Sequence, residues 1–167
     1  MRIVKLLITI FIINAADCLA AVKDFPSLTS RNLNKKVISI PEDFKEEYNA
    51  VIFGFRRSQT ALVEEWFDAL YDIGGLDVYQ IPVISSFWKT LGFAFFIDRK
   101  MYSAIKDEKK RDYVLTLYTD LKSFRASLNV EDSDVHVFLL HRDGRIMSHV
   151  QGKYNKDNYK QLLSVLH

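Results

Sequence analysis

A compact apolar run followed at once by a helical repeat constrains the fold of this chain more than any other feature. Residues 50–55 form the apolar run, which suits a strand buried on both faces of a sheet. From Leu62 to Ile73, apolar residues recur at intervals of three and four, so they lie on one face of a helix. Gly74-Gly75 then provides a flexible helix stop. Because such a strand needs helices above and below it, this segment predicts an α/β layered domain.

Further strand and helix patterns alternate along the chain. One strand is expected to end at Pro82 or just after it, and one short helix is expected to be capped by Asp120 or Thr119. In chain order we predict an irregular lead-in at 23–49 with a short strand at 36–40, a strand at 76–83, a mostly helical segment at 86–106, a strand at 113–118 and a helix at 121–128.

The C-terminal part of the chain indicates a β-hairpin followed by a helix. Asp143-Gly144, between strand patterns at 135–141 and 145–151, is the strongest turn signal in the sequence. Asn155 is expected to cap a last helix that has an apolar stripe. Together these patterns predict a three-layer α/β fold, with a mixed central sheet, helices on both faces and a C-terminal hairpin plus helix.

The first 21 residues have the pattern of a cleaved secretory signal peptide. Two basic residues precede an apolar run at 6–13, and small residues follow up to Ala21. The run is shorter than the roughly 18 to 20 apolar residues that span a bilayer, so a permanent anchor is disfavoured. We therefore expect a signal peptide at 1–21, export to the periplasm or the extracellular space, and one domain at 22–167.

The only cysteine, Cys18, lies inside the predicted signal peptide. A lipoprotein acylated at Cys18 is the minor alternative, because Asp17 stands where lipoprotein signals carry a small uncharged residue. Residues 22–167 carry 21 basic and 20 acidic residues, a balance that gives no general reason to bind nucleic acid or anionic lipid. A domain of this length can fold by packing alone, without disulfides.

The order of the predicted elements resembles the thioredoxin-like fold of redoxins. Residues 25–41 resemble the lead-in hairpin of peroxiredoxins, and residues 49–66 resemble the strand, loop and helix that hold the reactive cysteine of redoxins. Residues 137–163 resemble the redoxin hairpin and final helix. These three stretches cover most of the predicted domain.

A closer resemblance lies in residues 99–152, which follow the order seen in the mitochondrial ATP synthase assembly-factor family. That family is related to redoxins and chaperones a subunit of the membrane sector. Uncharacterised exported bacterial relatives are more similar still, through the runs at 53–59 and 77–83. The resemblance to these relatives implies a fold but no established activity, whereas the resemblance to the assembly-factor family implies an assembly or chaperone role.

The resemblance also indicates what this chain has lost. In redoxins, the loop after the first central strand holds a cysteine at a helix N-terminus, where the helix dipole lowers the thiol pKa. Here that loop runs from Arg56 to Thr60, and His136 stands where redoxins keep a cis-proline. Because hydroxyl groups cannot exchange disulfides, thiol redox chemistry is disfavoured. It stays open only if the exported chain keeps Cys18.

Five residues form a candidate binding rim: Arg56, Arg57, Ser58, Gln59 and His136. Guanidinium groups beside a helix start favour a bound anion or carboxylate. We favour the simpler interpretation, in which the arginines form surface ion pairs and Ser58 is the N-cap of the following helix. The expected partners of the arginines are Glu64, Glu65 and Asp98.

Histidines offer little further chemistry in the sequence. Ser58, His136 and Asp134 include the residue types of a nucleophilic triad, but no spacing sets their geometry, so we assign no catalytic residue and disfavour a hydrolase. His141 and His149 are expected to be ordinary strand residues, since no cysteine or carboxylate accompanies them at ligand spacing. We predict no metal and no cofactor.

The aromatic segment at 87–96 has two interpretations. The favoured one is a helix that faces the core. In the other, Phe87, Trp88 and Phe93 form an exposed patch for a membrane surface or a hydrophobic client protein. The polar run at 106–112 is expected to be a solvated turn.

The preferred hypothesis is an exported, redox-inactive, non-enzymatic protein that binds a protein partner through the candidate rim and the aromatic patch. An assembly or chaperone role at the cell envelope is what the resemblance implies. The alternatives are an enzyme with thiol-independent activity at the same rim, and a thiol redox protein that retains Cys18.

Overall fold

The computed structural model describes residues 24–166, which contain one seven-stranded sheet. The predicted signal peptide at 1–21 and Cys18 lie outside the described residues. The strands are β1 (Leu28–Asn32), β2 (Val37–Ile40), β3 (Tyr48–Gly54), β4 (Leu76–Ser85), β5 (Leu115–Thr119), β6 (His136–His141) and β7 (Ile146–Gln151). Their order across the sheet is β2-β1-β5-β4-β3-β6-β7. The sheet is mixed, because β4 runs parallel to β3 and β5 and the other neighbours are antiparallel.

Six α-helices accompany the sheet within the described residues. They are α1 (Thr60–Leu70), α2 (Ser86–Thr90), α3 (Ala94–Ala104), α4 (Glu108–Asp112), α5 (Leu121–Leu128) and α6 (Lys156–Leu163). Single 3-10 turns lie at Arg57–Gln59 and Ser164–Leu166. Among these helices of residues 24–166, none has the length and apolar character needed to cross a membrane.

Strand β3 contributes side chains to two hydrophobic cores, one on each face of the sheet. Ala50 and Ile52 face the core that includes the buried side chains of α1 and α6. Val51 and Phe53 face the other core, which α5 covers together with apolar residues of the N-terminal part of the domain. Every one of these four β3 side chains is fully buried. The structure therefore confirms the predicted three-layer α/β fold.

Strand β4 is longer than the sequence indicates, because it continues past Pro82 to Ser85. Pro82 pairs with Gly54, the last residue of β3, and β4 pairs with β5 from Val83 onward. Gln80 already bridges Val114 in the same register as Val83 with Leu117, so the ladder on the β5 side is interrupted around Pro82, which has no N–H to donate.

Local chemistry at helix ends and turns agrees with the sequence. The Asp120 carboxylate accepts a hydrogen bond from the backbone N–H of Ser123 at 2.8 Å, and Asn155 caps α6 in the same way. Gly144 has φ of +90° in the turn between β6 and β7, a conformation that favours glycine. Short polar side chains and glycine fix these ends, as predicted.

Two predicted irregular segments are ordered and bound to each other. Residues 28–40 form the β1–β2 hairpin, and the predicted solvated turn at 106–112 contains helix α4, which Asp107 caps. The Asp112 carboxylate accepts hydrogen bonds from Asn32 and Asn34 and forms an ion pair with Lys36 at 3.1 Å. These partners, the Asn34 amide above all, lower the pKa of Asp112. The prediction of a solvated turn was wrong because the Asp107 cap and the contacts of Asp112 with residues 32–36 together stabilise a helix in this segment.

Candidate functional site

The loop after β3 is held in place by the buried side chain of Gln59. Its Oε1 accepts hydrogen bonds from the backbone N–H groups of Phe55 and Arg56 at 2.7 and 3.1 Å. Its Nε2 donates to the carbonyl oxygen of Asp132 at 2.9 Å. Only 4% of Gln59 is exposed, so this amide lies beneath the predicted rim and positions the loop.

Arg56 lies on the exposed side of the same loop and is paired, but not with a predicted partner. Its guanidinium group donates to the Asp132 carboxylate at 2.8 Å, and Arg125 approaches that carboxylate at 3.0 Å. The expectation that Arg56 pairs with Glu64, Glu65 or Asp98 was therefore wrong. The real partner lies 76 residues away in sequence, on the loop before β6.

Arg57 and Ser58 are exposed in the 3-10 turn between β3 and α1. Arg57 makes no ion pair with any residue in 24–166, so its guanidinium group is available to a ligand. Ser58 does not cap α1, because α1 begins two residues later at Thr60. The hydroxyl of Thr60 donates instead to the carbonyl oxygen of Arg57 at 2.8 Å. The predicted N-cap role of Ser58 was wrong, since the extra turn shifts the helix start.

His136 lies inside the domain and does not reach the exposed rim. It is 1% exposed, and its Nε2 donates to the carbonyl oxygen of Glu131 at 2.8 Å. Its Nδ1 lies 3.0 Å from Nε2 of His149, on the neighbouring strand. Since a carbonyl oxygen only accepts, a neutral His136 carries its proton on Nε2, and the His149 Nε2–H donates to Nδ1.

The two histidines form a neutral pair, in which His136 is buried and His149 is partly buried. Burial lowers the pKa of His136. Burial, with the neighbouring His136 ring, lowers the pKa of His149 to about 4. The His149 ring also stacks on Phe138 with ring centres 4.2 Å apart. The expectation that His149 is an ordinary strand residue missed this pairing, which becomes visible only once β6 and β7 are in register.

These contacts also bear on Ser58, His136 and Asp134, the residue types of a nucleophilic triad for which the sequence set no geometry. Both ring nitrogens of His136 are engaged, one by a backbone carbonyl and one by His149. Neither nitrogen is free to accept a proton from the Ser58 hydroxyl. The geometry therefore gives no support to a hydrolase.

An apolar groove of about 640 Å³ lies beside Arg57, at the carboxyl ends of β3 and β4. Helices α2 and α3 form one wall, and α5 contributes to the other. Two cations lie at its edge, Arg57 and Lys100, and none of the described residues lining it is acidic. Its apolar lining includes Phe55, Val83, Trp88, Phe93, Ile97 and Leu121. The groove is built to hold an apolar segment next to negative charge.

The aromatic segment faces solvent, so the favoured prediction of a core-facing helix was wrong. Trp88 and Phe93 are each 46% exposed, and Phe87 is 60% exposed. Helix α3 contributes no buried side chain within the described part of the chain. Gly92, with φ of +78°, separates α2 from α3. The apolar periodicity marks a helix face correctly, but periodicity alone does not tell whether other residues cover that face.

The structure thus brings together part of the predicted site and separates the rest. Arg57, Trp88 and Phe93 line the groove, whereas Phe87 lies outside it. Arg56, Ser58, Gln59 and His136 do not line it either. The sequence reasoning missed the other eight residues that line the groove and also Asp132, the ion-pair partner of Arg56; the eight are Phe55, Val83, Ile84, Ser85, Phe96, Ile97, Lys100 and Leu121. The sequence did carry a signal for Phe96, Ile97 and Lys100, because they follow Phe93 at helical spacing and so share its helix face.

Metal ligands and thiols are not part of this site. Among residues 24–166, no group of three or more His, Cys, Asp and Glu side chains is arranged to hold a metal ion. The single cysteine of the sequence, Cys18, precedes the described residues. The site is therefore made of aromatic rings, aliphatic side chains and two cations.

Residues 24–166 have a thioredoxin-like fold, as their similarity to solved structures shows. The thioredoxin domain of a thiol-disulfide oxidoreductase from Bacteroides vulgatus is similar, with a TM-score of 0.55 at 21% identity, over 89% of this chain and 99% of that chain. BsSco, a member of the Sco family of cytochrome c oxidase assembly proteins, is similar with a TM-score of 0.57 at 16% identity, over 86% and 92%.

An exposed lipoprotein thioredoxin from Streptococcus pneumoniae strain TIGR4 is also similar, with a TM-score of 0.58 at 12% identity, over 83% of this chain and 98% of that chain. At such identities the similarity establishes the fold alone. No protein-family model matches the chain, and no curated protein is significantly similar in sequence.

Proposed function

We propose that this protein is an exported, non-enzymatic, thioredoxin-like binding module that holds a protein partner in the groove beside Arg57. One observation carries the proposal: an apolar groove with two cations and exposed aromatic rings lies at the loop where redoxins keep their thiol, and this loop contains no cysteine. Such a surface can bind a partner, but it cannot exchange disulfides with one.

The composition of the groove matches that of protein interfaces. Trp, Phe and Arg are enriched at the centres of such interfaces, where they carry much of the binding energy. Trp88 and Phe93 are about half exposed in the isolated chain, so a partner that covers them buries apolar area that now faces water. Arg57 has no ion pair among the described residues and is free to meet a carboxylate of the partner.

An assembly or chaperone role at the cell envelope is the form of this function that the sequence resemblance implies. Such a role requires a protein that binds its partner without converting it chemically. This agrees with His136, whose two ring nitrogens are already hydrogen-bonded within the domain. The alternative of a thiol-independent enzyme draws no support from the contacts at the rim. The thiol alternative depends on Cys18 alone, and mass spectrometry of the exported protein settles it, since a mature N-terminus after Cys18 removes the thiol.

Site-specific crosslinking in the organism that encodes the protein tests the proposal. A photoreactive residue in place of Trp88 in the full chain is expected to give one or a few defined protein adducts. Because the groove binds through Arg57 and Phe93 as well, Arg57→Glu and Phe93→Ser in the same chain should remove these adducts.

The matched control is a photoreactive residue at Val37, which is exposed and apolar but lies on β2, outside the groove. Identical adducts from positions 37 and 88 would contradict a specific groove. The proposal also fails if Arg56→Ala and Arg57→Ala abolish turnover of a substrate while the adducts at position 88 are unchanged, because the rim is then enzymatic.

A further inference from the structure

Helices α2 and α3 carry a second apolar surface that faces away from the groove. It consists of large side chains that do not line the groove, and we call it the outer face. Phe87 and Phe95 are its most exposed members, at 60% and 65%. Its residues are Phe87, Leu91, Phe95 and Tyr102.

Helical spacing explains why one helix serves two surfaces. On α3, Phe96, Ile97 and Lys100 share the stripe that lines the groove. Phe95 and Tyr102 are seven residues apart, two helical turns, and therefore share a different stripe of the same helix. The outer face is thus a separate surface, which a partner seated in the groove does not cover.

Two contacts fix the orientation of α3 on the body of the domain. The Tyr118 hydroxyl donates to the Asp98 carboxylate at 2.9 Å and lies 3.2 Å from the carbonyl oxygen of Ala94. The Arg111 guanidinium group lies 3.9 Å from the centre of the Tyr102 ring. Phe95 on this helix is 65% exposed and belongs to neither core, and the same is true of Phe87 on α2, which is 60% exposed.

The charge of this segment differs from that of the rest of the domain. Residues 86–106 carry four basic residues and one acidic residue, whereas the remainder of 22–167 carries 17 basic and 19 acidic residues. The one acidic residue, Asp98, already accepts the hydrogen bond from Tyr118. Lys89 and Arg99 are exposed on the same two helices as the outer face. The segment that carries the exposed rings therefore has a net positive charge.

We propose that the outer face docks this protein on the surface of a bilayer that contains anionic phospholipid. Aromatic side chains prefer the headgroup region of membranes, and neighbouring Lys and Arg residues are attracted to anionic lipid. A pair of helices with apolar rings on one side and cations beside them is the surface that lies in such an interface. This inference goes beyond the proposed function, because it uses a face of α3 that the groove leaves free.

Vesicle binding tests the inference, with the protein purified as its host processes it. It should sediment with vesicles of equal amounts of phosphatidylcholine and phosphatidylglycerol, and much less with vesicles of phosphatidylcholine alone. The double variant Phe87→Ser/Phe95→Ser should weaken this binding by at least about tenfold. Each substitution removes the favourable free energy of moving one phenyl ring from water into the bilayer. Lys89→Gln and Arg99→Gln should each weaken it by about fivefold.

Val37→Ser is the matched control, since it removes an exposed apolar side chain from β2 and should leave vesicle binding unchanged. All variants share one N-terminal segment, so differences between them report on α2 and α3. Equal binding of the double variant and the unchanged protein overturns the inference. It is also overturned if vesicles do not bind and a photoreactive residue at position 95 forms protein adducts instead. Adducts at position 88 report separately on the groove, so the two proposals fail independently.

Discussion

Acidification is expected to destabilise this protein through the pair of the buried His136 and the partly buried His149. The pKa of His149 is about 4 in the folded protein and returns to 6.5 when the chain unfolds. Between these values the unfolded state binds more protons, so the free energy of unfolding falls as the pH falls from 6.5 towards 4. Each unit of pKa difference is worth about 1.4 kcal/mol, so the loss is at most about 3 kcal/mol at pH 4, smaller to the extent that solvent screens the partly exposed ring, and none above pH 7. The lowered pKa of His136 acts in the same direction.

Urea unfolding followed by circular dichroism at a series of pH values between 4 and 8 measures this loss. His149→Gln removes the titrating ring but keeps an N–H donor for Nδ1 of His136, so its stability should fall less steeply with acidification. The control is His141→Gln, which removes a histidine of the same hairpin that contacts Asp143 instead of His136. If His149→Gln loses as much stability between pH 7 and pH 4 as the unchanged protein, the histidine pair is not the responsible group.

Four other substitutions test the loop and the turns. Gln59→Ala is expected to lower the free energy of unfolding in urea by about 2 to 3 kcal/mol, because two backbone N–H groups and one carbonyl lose their partner. Gly144→Ala should cost about 1 to 3 kcal/mol and lower the thermal midpoint, because φ is +90° and the new Cβ would lie 2.8 Å from Pro41. Gly75→Ala, with φ of +78° but open space around it, should cost less and so isolates the clash. Asp132→Asn should cost about 1 kcal/mol, an effect that high salt reduces, since its ion pairs are partly exposed to solvent; an undiminished loss at high salt would contradict this.

The parts of the fold that depend on neighbouring residues were predictable from the sequence. Asp120 and Asn155 cap their helices as expected, because an N-cap needs only a short polar side chain and the next turn of backbone. Gly144 lies in the hairpin turn because few other residues adopt its backbone conformation. The burial of β3 followed from its uninterrupted apolar run.

The parts that depend on distant neighbours were not predictable. His136 and His149 meet only through the register of two strands, and Arg56 meets Asp132 only once two loops lie side by side. The outward direction of α3 had no signal either, because hydrophobicity predicts burial only when another part of the chain supplies the covering surface. The sequence therefore predicted the candidate rim and the aromatic patch as two separate features. It did not indicate that residues of both line one groove.

Because α3 adds no side chain to either core, its stability is only loosely coupled to that of the whole domain. The contacts of Tyr118 and Arg111 hold it, and both can break without opening the sheet. Its amide hydrogens should therefore exchange through a local opening, faster than those of β3, which must await global unfolding. The domain can thus lose and regain α3 while it stays folded, and the two surfaces that this helix carries would disappear and return together.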